Sequence, residues 1–282
     1  MKNHAKRLFA LLMALAMTAC LLTGLTSCGS SEEEETTTVD NTSTVTFPEG
    51  YTISQMAQLL EDNEVCSAAD FMAACQTIPE GYEDLLSGVS TEGKVFVLEG
   101  YLFPDTYNFY KNSDAVSALK IILNNTASKI TEEDMARAEA LGYSLEQMLT
   151  LASIVQSECS VSSEMGHVAS VFWNRLNSSS FPYLGSDVTR QYIEVKMKDY
   201  IEAQAMDYDT LFANYCTNDS YSLKTSGLPV GPVCNPGKSA IQAVLYPDTS
   251  SDYYFFTDED MGYHYYQTFN DFSYEWNTKY KH

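Results

Sequence analysis

The stretch from Met148 to Val155 reads MLTLASIV, eight residues interrupted by only two hydroxyls. Ser144 precedes it and Gln147 stands three places after that serine, a pairing that caps a helix N-terminus. A helix this apolar on nearly every face belongs inside a core rather than on a surface. It is also too short to cross a bilayer, which takes about 20 residues. The rest of the fold must wrap around this segment. A chain of 282 residues, 45% of them hydrophobic, has the material to do so. The helix then delivers Gln156, Ser157 and Glu158. A carboxyl group at the end of a buried helix loses hydration and meets the partial negative charge of the helix C-terminus; both raise its pKa. A glutamate protonated near neutral pH can serve as a general acid. The plainer alternative is a carboxylate that solvates a helix end.

Charge narrows the class of ligand. The chain carries 16 Lys+Arg against 38 Asp+Glu, a formal net of −22. Contacts to phosphates, whether in nucleic acid or in anionic lipid headgroups, need a basic surface, so the balance argues against both. Aromatic residues make up 12%, more than an acidic linker would need. These numbers describe an acidic, aromatic-rich body whose ligand is neither nucleic acid nor strongly anionic.

The first residues are not part of that body. Residues 1–27 read as a lipoprotein signal peptide, with Lys2, Lys6 and Arg7 ahead of a short apolar run. The run ends in Leu25, Thr26, Ser27 and Cys28, which resembles the bacterial lipobox. That resemblance implies a lipidated Cys28 as the new N-terminus, and attachment through a lipid anchor to the extracytoplasmic face of the cell membrane. Residues 28–44 read as an acidic flexible tether, because the successive acids Glu32 to Glu35 repel one another and bury nothing. Beyond Cys20 and Cys28 the chain has Cys66, Cys75, Cys159, Cys216 and Cys234. An odd number without CxxC spacing reads as small buried hydrophobes.

Patterning along the remainder predicts an α+β fold. Residues 45–93 are expected to form a small module: a strand near 44–47, a turn at Pro48, Glu49 and Gly50, then two short helices at 53–60 and 69–75. Residues 94–282 are expected to form the main domain. Within it 95–107 alternates in strand fashion on both sides of Gly100, helices begin near Ser113 and Thr131, and Gly142 precedes the helix that carries Glu158. Glu164 and His167 are spaced as a metal pair would be on a helix, but no third ligand accompanies them, so neither metal nor cofactor is expected.

Six segments then stand in order: LEGYLFPDTY at 98–107, ASIVQSE at 152–158, VFWNRL at 171–176, Ser186 with Asp187, GLPVGPVCNPG at 227–237, and His264 after the aromatic run 253–256. Together these resemble the MltG/YceG-like endolytic murein transglycosylase family over nearly the whole chain after the tether. The resemblance implies a YceG-like catalytic domain preceded by a small LysM-like N-terminal module. It further implies a peptidoglycan lytic transglycosylase that cleaves the MurNAc–GlcNAc bond of nascent glycan strands and leaves 1,6-anhydro-MurNAc ends, limiting strand elongation beside peptidoglycan synthases. The other reading is a non-catalytic peptidoglycan-binding lipoprotein. Glu158 matches the family's single catalytic glutamate.

Four further residues are substrate-binding candidates. Asp187 matches the acid of the Ser/Thr-Asp element, for sugar hydroxyls or for orienting Glu158, with a turn or cap role as the alternative. Asn174 lies in VFWNRL beside Arg175, and both are candidates for glycan contact or for bracing their helix. Tyr101 is a candidate for stacking on a sugar face, though aromatics at such spacing also build cores. His264 is a candidate hydrogen-bonding residue near the site. The chain departs from the family where Asp187 is followed by Val188 instead of proline, where Gly185 replaces a glutamine, and at Tyr221 to Lys224. All three departures fall on expected substrate-facing loops.

Overall fold

The computed structural model describes residues 41–280; the signal peptide 1–27, Cys28 and most of the tether fall outside the described residues. The described chain opens with strand β1 (Thr42–Thr46), followed by α1 (Ile53–Asp62) and α2 (Ala68–Ala74). Strand β2 (Thr106–Tyr110) pairs antiparallel with β1, Val45 opposite Tyr107. Helices α3 (Ala115–Lys129), α4 (Glu132–Ala140), α5 (Leu145–Glu158) and α6 (Met165–Leu176) follow. After a loop come α7 (Asp187–Gln191), a π-helical turn (Tyr192–Lys196), α8 (Lys198–Ala203), α9 (Tyr208–Tyr215) and α10 (Lys238–Leu245). The antiparallel hairpin β3 (Tyr254–Thr257) and β4 (Tyr263–Tyr266) precedes α11 (Phe269–Glu275). This is the mixed helix-and-sheet fold that the patterning predicts. Among the described residues no helix is long and apolar enough to cross a membrane.

The apolar helix takes the central place its composition demands. Every residue of α5 from Met148 to Val155 is buried, and the two hydroxyls in that run are satisfied locally. Thr150 Oγ1 donates to Glu146 O at 2.7 Å, and Ser153 Oγ donates to Thr150 O at 2.7 Å while accepting Val233 N. Helices α6 and α10 pack against α5, and Trp173 Nε1 fastens α6 to α10 through Val244 O at 3.0 Å. The expected start signals hold: Ser144 with Gln147 and Thr131 with Asp134 form capping boxes, as Thr52 does with Gln55 on α1, each worth about 1 kcal/mol. Cys66, Cys75, Cys159, Cys216 and Cys234 all carry free thiols, and all but Cys66 are buried.

The segment 95–105 corrects a prediction. Its alternation reads as strand, yet only Thr106–Tyr110 enters a sheet, and that strand completes a pair begun before residue 93. The preceding residues are buried irregular backbone, which is stable only where each polar group finds a partner. Gly100 N and Leu102 N both donate to Asn235 Oδ1 at 2.9 Å, Phe103 N to Thr126 Oγ1, and Leu98 N to Cys75 O. A sheet partner is unnecessary because side chains from distant segments replace it. Gly100 itself has φ of +87° and lies against Pro232, where a Cβ would approach within 2.4 Å, so no other residue fits there.

Glu99 lies at the centre of this arrangement, fully buried. Its carboxyl accepts from Ile53 N at 3.0 Å, Tyr192 Oη at 3.0 Å and Asn235 Nδ2 at 2.9 Å. Burial pushes its pKa up to about 7, against the pull of those donors and of Lys196. Asn235 also donates to Tyr51 O from its side chain and its backbone. One amide thus ties 51, 99–102 and 235 together. Asn235→Ala would strand several of these groups, each costing about 1–3 kcal/mol when buried and unpaired. The expected result is a loss of at least about 3 kcal/mol in urea denaturation, with the m-value unchanged.

Candidate functional site

Helix α5 ends at Glu158, and the chain turns away at Cys159. Glu158 is half-buried and lines a cavity of about 350 Å³ whose other walls include Phe172, Arg175, Asp187, Tyr254 and Phe256. Burial is the main influence on Glu158 and raises its pKa; the nearby Asp187 charge adds to this. A hydrogen bond from Ser186 and the positive charge of Arg175 act in the opposite direction without cancelling it. The net rise favours the protonated form that a general acid needs.

The groups around Glu158 come from three elements. Ser186 Oγ donates to Glu158 Oε1 at 2.6 Å. Ser186 is the N-cap residue of α7, yet its side chain makes no capping bond; the hydroxyl that usually closes a helix start is given to Glu158 instead. Its backbone is fixed from below by Thr189 and Thr217, both fully buried. Thr189 Oγ1 donates to Ser186 O at 2.7 Å, Ser186 N to Thr217 Oγ1 at 3.3 Å, and Gly185 N to Thr217 O at 2.8 Å.

Arg175 forms the opposite wall. Its Nε donates to Tyr253 O at 2.7 Å and its Nη1 to Leu184 O at 2.8 Å, so one guanidinium joins the β3 hairpin to the 184–186 loop. The same group lies over the rings of Phe172, Phe181 and Tyr254. Gly185 accommodates this approach, with φ of +73° and Arg175 Nη1 only 3.4 Å from where a Cβ would stand. A second cavity, of about 720 Å³, shares Arg175, Gly185, Tyr254 and Phe272 with the first. Tyr254, Phe272 and the 59% exposed Phe269 form an aromatic patch on its lining, and Asn218, Asp219 and Ser220 supply polar groups. The two adjoining spaces thus share a wall, with Glu158 lining one and the aromatic patch lining the other.

The predicted residues are not all gathered there. Glu158 and Asp187 line the same cavity. Asp187 is exposed and engages Asn218 Nδ2 at 2.8 Å and Arg190 at 3.6 Å; the group that touches Glu158 is its neighbour Ser186. Asn174 spends its amide on Ser250 O and Asp252 O, bracing a loop. Tyr101 is 1% exposed, a core ring out of reach of any ligand. His264 pairs with Asp258 at 2.7 Å and stacks on Phe256, a wall of the Glu158 cavity, without lining that cavity itself. Glu164 accepts from Tyr265 Oη, and His167 pairs with Asp252. Among the described residues no set of His, Cys, Asp or Glu is placed to hold a metal ion. Ser186 carries a signal that reading by residue type passes over, since a serine before an aspartate is read first as a helix cap.

Comparison with known proteins relates the chain to a family. The model of the YceG-like family matches residues 22–277. The endolytic murein transglycosylase of Bacillus subtilis is 28% identical over 226 residues, covering 77% of this chain and 59% of that protein. Its namesake in Streptococcus pneumoniae serotype 2 is 31% identical over 238 residues, 79% of this chain and 42% of that protein. The chain therefore spans about half the length of these relatives. The crystal structure of a yceG-like protein from Listeria monocytogenes superposes with a TM-score of 0.65 at 26% identity, covering 82% of this chain and 75% of that one.

The electrostatic arrangement can be tested directly. Asp187 contributes a like charge, so Asp187→Asn should lower the pKa of Glu158. Carbon-13 titration of the labelled glutamate is expected to show a downward shift; an unchanged or rising midpoint would contradict the assignment.

Proposed function

The chain belongs to the YceG-like family, and from that membership and the cavity around Glu158 we propose that it is an endolytic peptidoglycan lytic transglycosylase. The observation that carries this reading is the half-buried Glu158 lining an aromatic-walled cavity, its pKa raised chiefly by burial. Glu158 protonates the oxygen that links MurNAc C1 to GlcNAc, and that C–O bond breaks. The carboxylate left behind removes the proton from the MurNAc C6 hydroxyl as its oxygen bonds to C1. The proton count balances, no water is consumed, and the product ends in 1,6-anhydro-MurNAc. An internal nucleophile gains from proximity and dispenses with the second carboxylate that most glycosidases need.

The remaining parts of the reading concern place and partner. The signal peptide 1–27 is removed, Cys28 is lipidated, and the acidic tether holds the body at the outer face of the cell membrane. There it cuts nascent strands beside peptidoglycan synthases and limits their length. The reading keeps a small LysM-like module over residues 45–93, although its strand β1 pairs with β2 beyond that stretch. The altered residues 185–188 and 221–224 favour one second reading, a peptidoglycan-binding protein without turnover.

Incubating the purified protein with uncrosslinked glycan strands separates these readings. Anhydro ends that fall about a thousandfold in Glu158→Gln, the loss expected for a positioned general acid, support the transglycosylase. Binding without cleavage supports the second reading, and ordinary reducing ends would mean hydrolysis. Because Glu158 must be protonated to start the reaction, activity should decline as pH rises through its raised pKa. Phe269→Ala removes an exposed ring from the adjoining cavity and is expected to raise KM about fivefold with kcat little changed, the scale of one ring contact. Steady-state kinetics on chains of defined length checks this.

A further inference from the structure

Glu158 has two oxygens, and the protein treats them differently. Oε1 accepts from Ser186 Oγ at 2.6 Å, within the range for a hydroxyl on a carboxylate. Oε2 has no protein hydrogen bond, yet it is not sealed away. Among the described residues the only buried side-chain polar atoms without a partner are Arg190 Nε and Tyr215 Oη, so Oε2 reaches the open space of the cavity.

Ser186 is well placed to hold this asymmetry. It is 1% exposed, its hydroxyl has Glu158 as its only partner, and its backbone is bound on both sides by Thr189 and Thr217. The two threonine hydroxyls lie 3.1 Å apart, and Thr217 N donates to Thr189 Oγ1 at 3.2 Å. A neutral cluster thus fixes the hydroxyl from beneath. The hydrogen bond also survives both protonation states, because Oε1 can accept as a carboxylate oxygen or as the carbonyl oxygen of the acid.

From this we infer that Ser186 is a positioning residue that reserves Glu158 Oε2 as the oxygen carrying the catalytic proton. The inference rests on the transglycosylase reading above and deepens it. With Oε1 engaged, the acid holds its proton on Oε2, gives it to the glycosidic oxygen from there, and takes the C6 hydroxyl proton back at the same atom. Serving both halves of the reaction from one oxygen keeps donor and acceptor on the same side of the sugar. The charged or titratable groups near this carboxyl are Arg175 on α6, Asp187 on α7, Cys159 at the end of α5 and Tyr254 on β3. None of them bonds to Oε1.

The test compares Ser186→Ala and Ser186→Thr in the intact protein. Alanine removes the donor that favours the charged form, so the carbon-13 titration of Glu158 should move to higher pH, and the alkaline limb of kcat should move with it. Loss of orientation should lower kcat by about tenfold to a hundredfold with KM near the parent value. Threonine keeps the hydroxyl and should restore kcat to within about threefold of the parent. The inference is overturned if Ser186→Ala titrates and turns over like the parent. It is equally overturned if kcat falls with the alkaline limb unmoved and threonine gives no rescue, the signature of a merely structural residue. Should the parent release no anhydro ends, the transglycosylase reading fails on its own. The titration would still decide whether Ser186 controls Glu158.

Discussion

The body is organised by the hydrogen bonds that Glu99 and Asn235 share. Neither residue lines the cavities beside Glu158, yet both hold the segments that support it. Asn235 belongs to the loop that lies along α5, where Val233 N bonds to Ser153 Oγ and Gly237 N to Gln156 Oε1. Glu99 belongs to the irregular segment that the same asparagine satisfies. A buried carboxyl and a buried amide are costly without partners and specific with them. Because each bonds to groups far away in sequence, only one arrangement of the three segments satisfies all of them. That arrangement also clasps the last turn of α5, from which Glu158 emerges.

Much of this was legible from residue pattern. The apolar run announced a buried helix and its exit glutamate, and the caps at Ser144 and Thr131 fell where hydroxyl and amide spacing put them. Segment 95–105 has the pattern of a strand without being one, because alternation of apolar residues reports burial, and burial need not mean a sheet. What replaced the sheet was the side chain of Asn235, more than 130 residues away, a kind of contact that local pattern does not encode. Tyr101 failed as a ligand contact for the same reason: spacing says that a ring is buried or not, never against what. The local pattern of Ser186 is that of a helix cap, and only tertiary geometry directs its hydroxyl to Glu158.

The site also shows how a carboxyl is kept acidic in function without being isolated. Burial raises the pKa of Glu158, while Ser186 and Arg175 restrain the rise. The cationic group is simultaneously a structural brace, its donors committed to backbone carbonyls of the hairpin and the loop. Glu158 therefore feels a positive charge that is held by other obligations, so the carboxyl is not locked into a permanent ion pair. The neutral hydroxyl of Ser186 supplies orientation where a second charge would have suppressed the proton.

The cysteines carry a separate consequence. Four buried thiols sit within the packed body, and burial raises the pKa of each, that of Cys234 to about 12. Thiolate is the form that reacts with oxidants and disulfides, so these sulfurs are chemically quiet as well as unpaired. Among the described residues no disulfide joins them, so the packing of this body is held by noncovalent contacts. Among the described residues these sulfurs contribute to the fold as small buried hydrophobes.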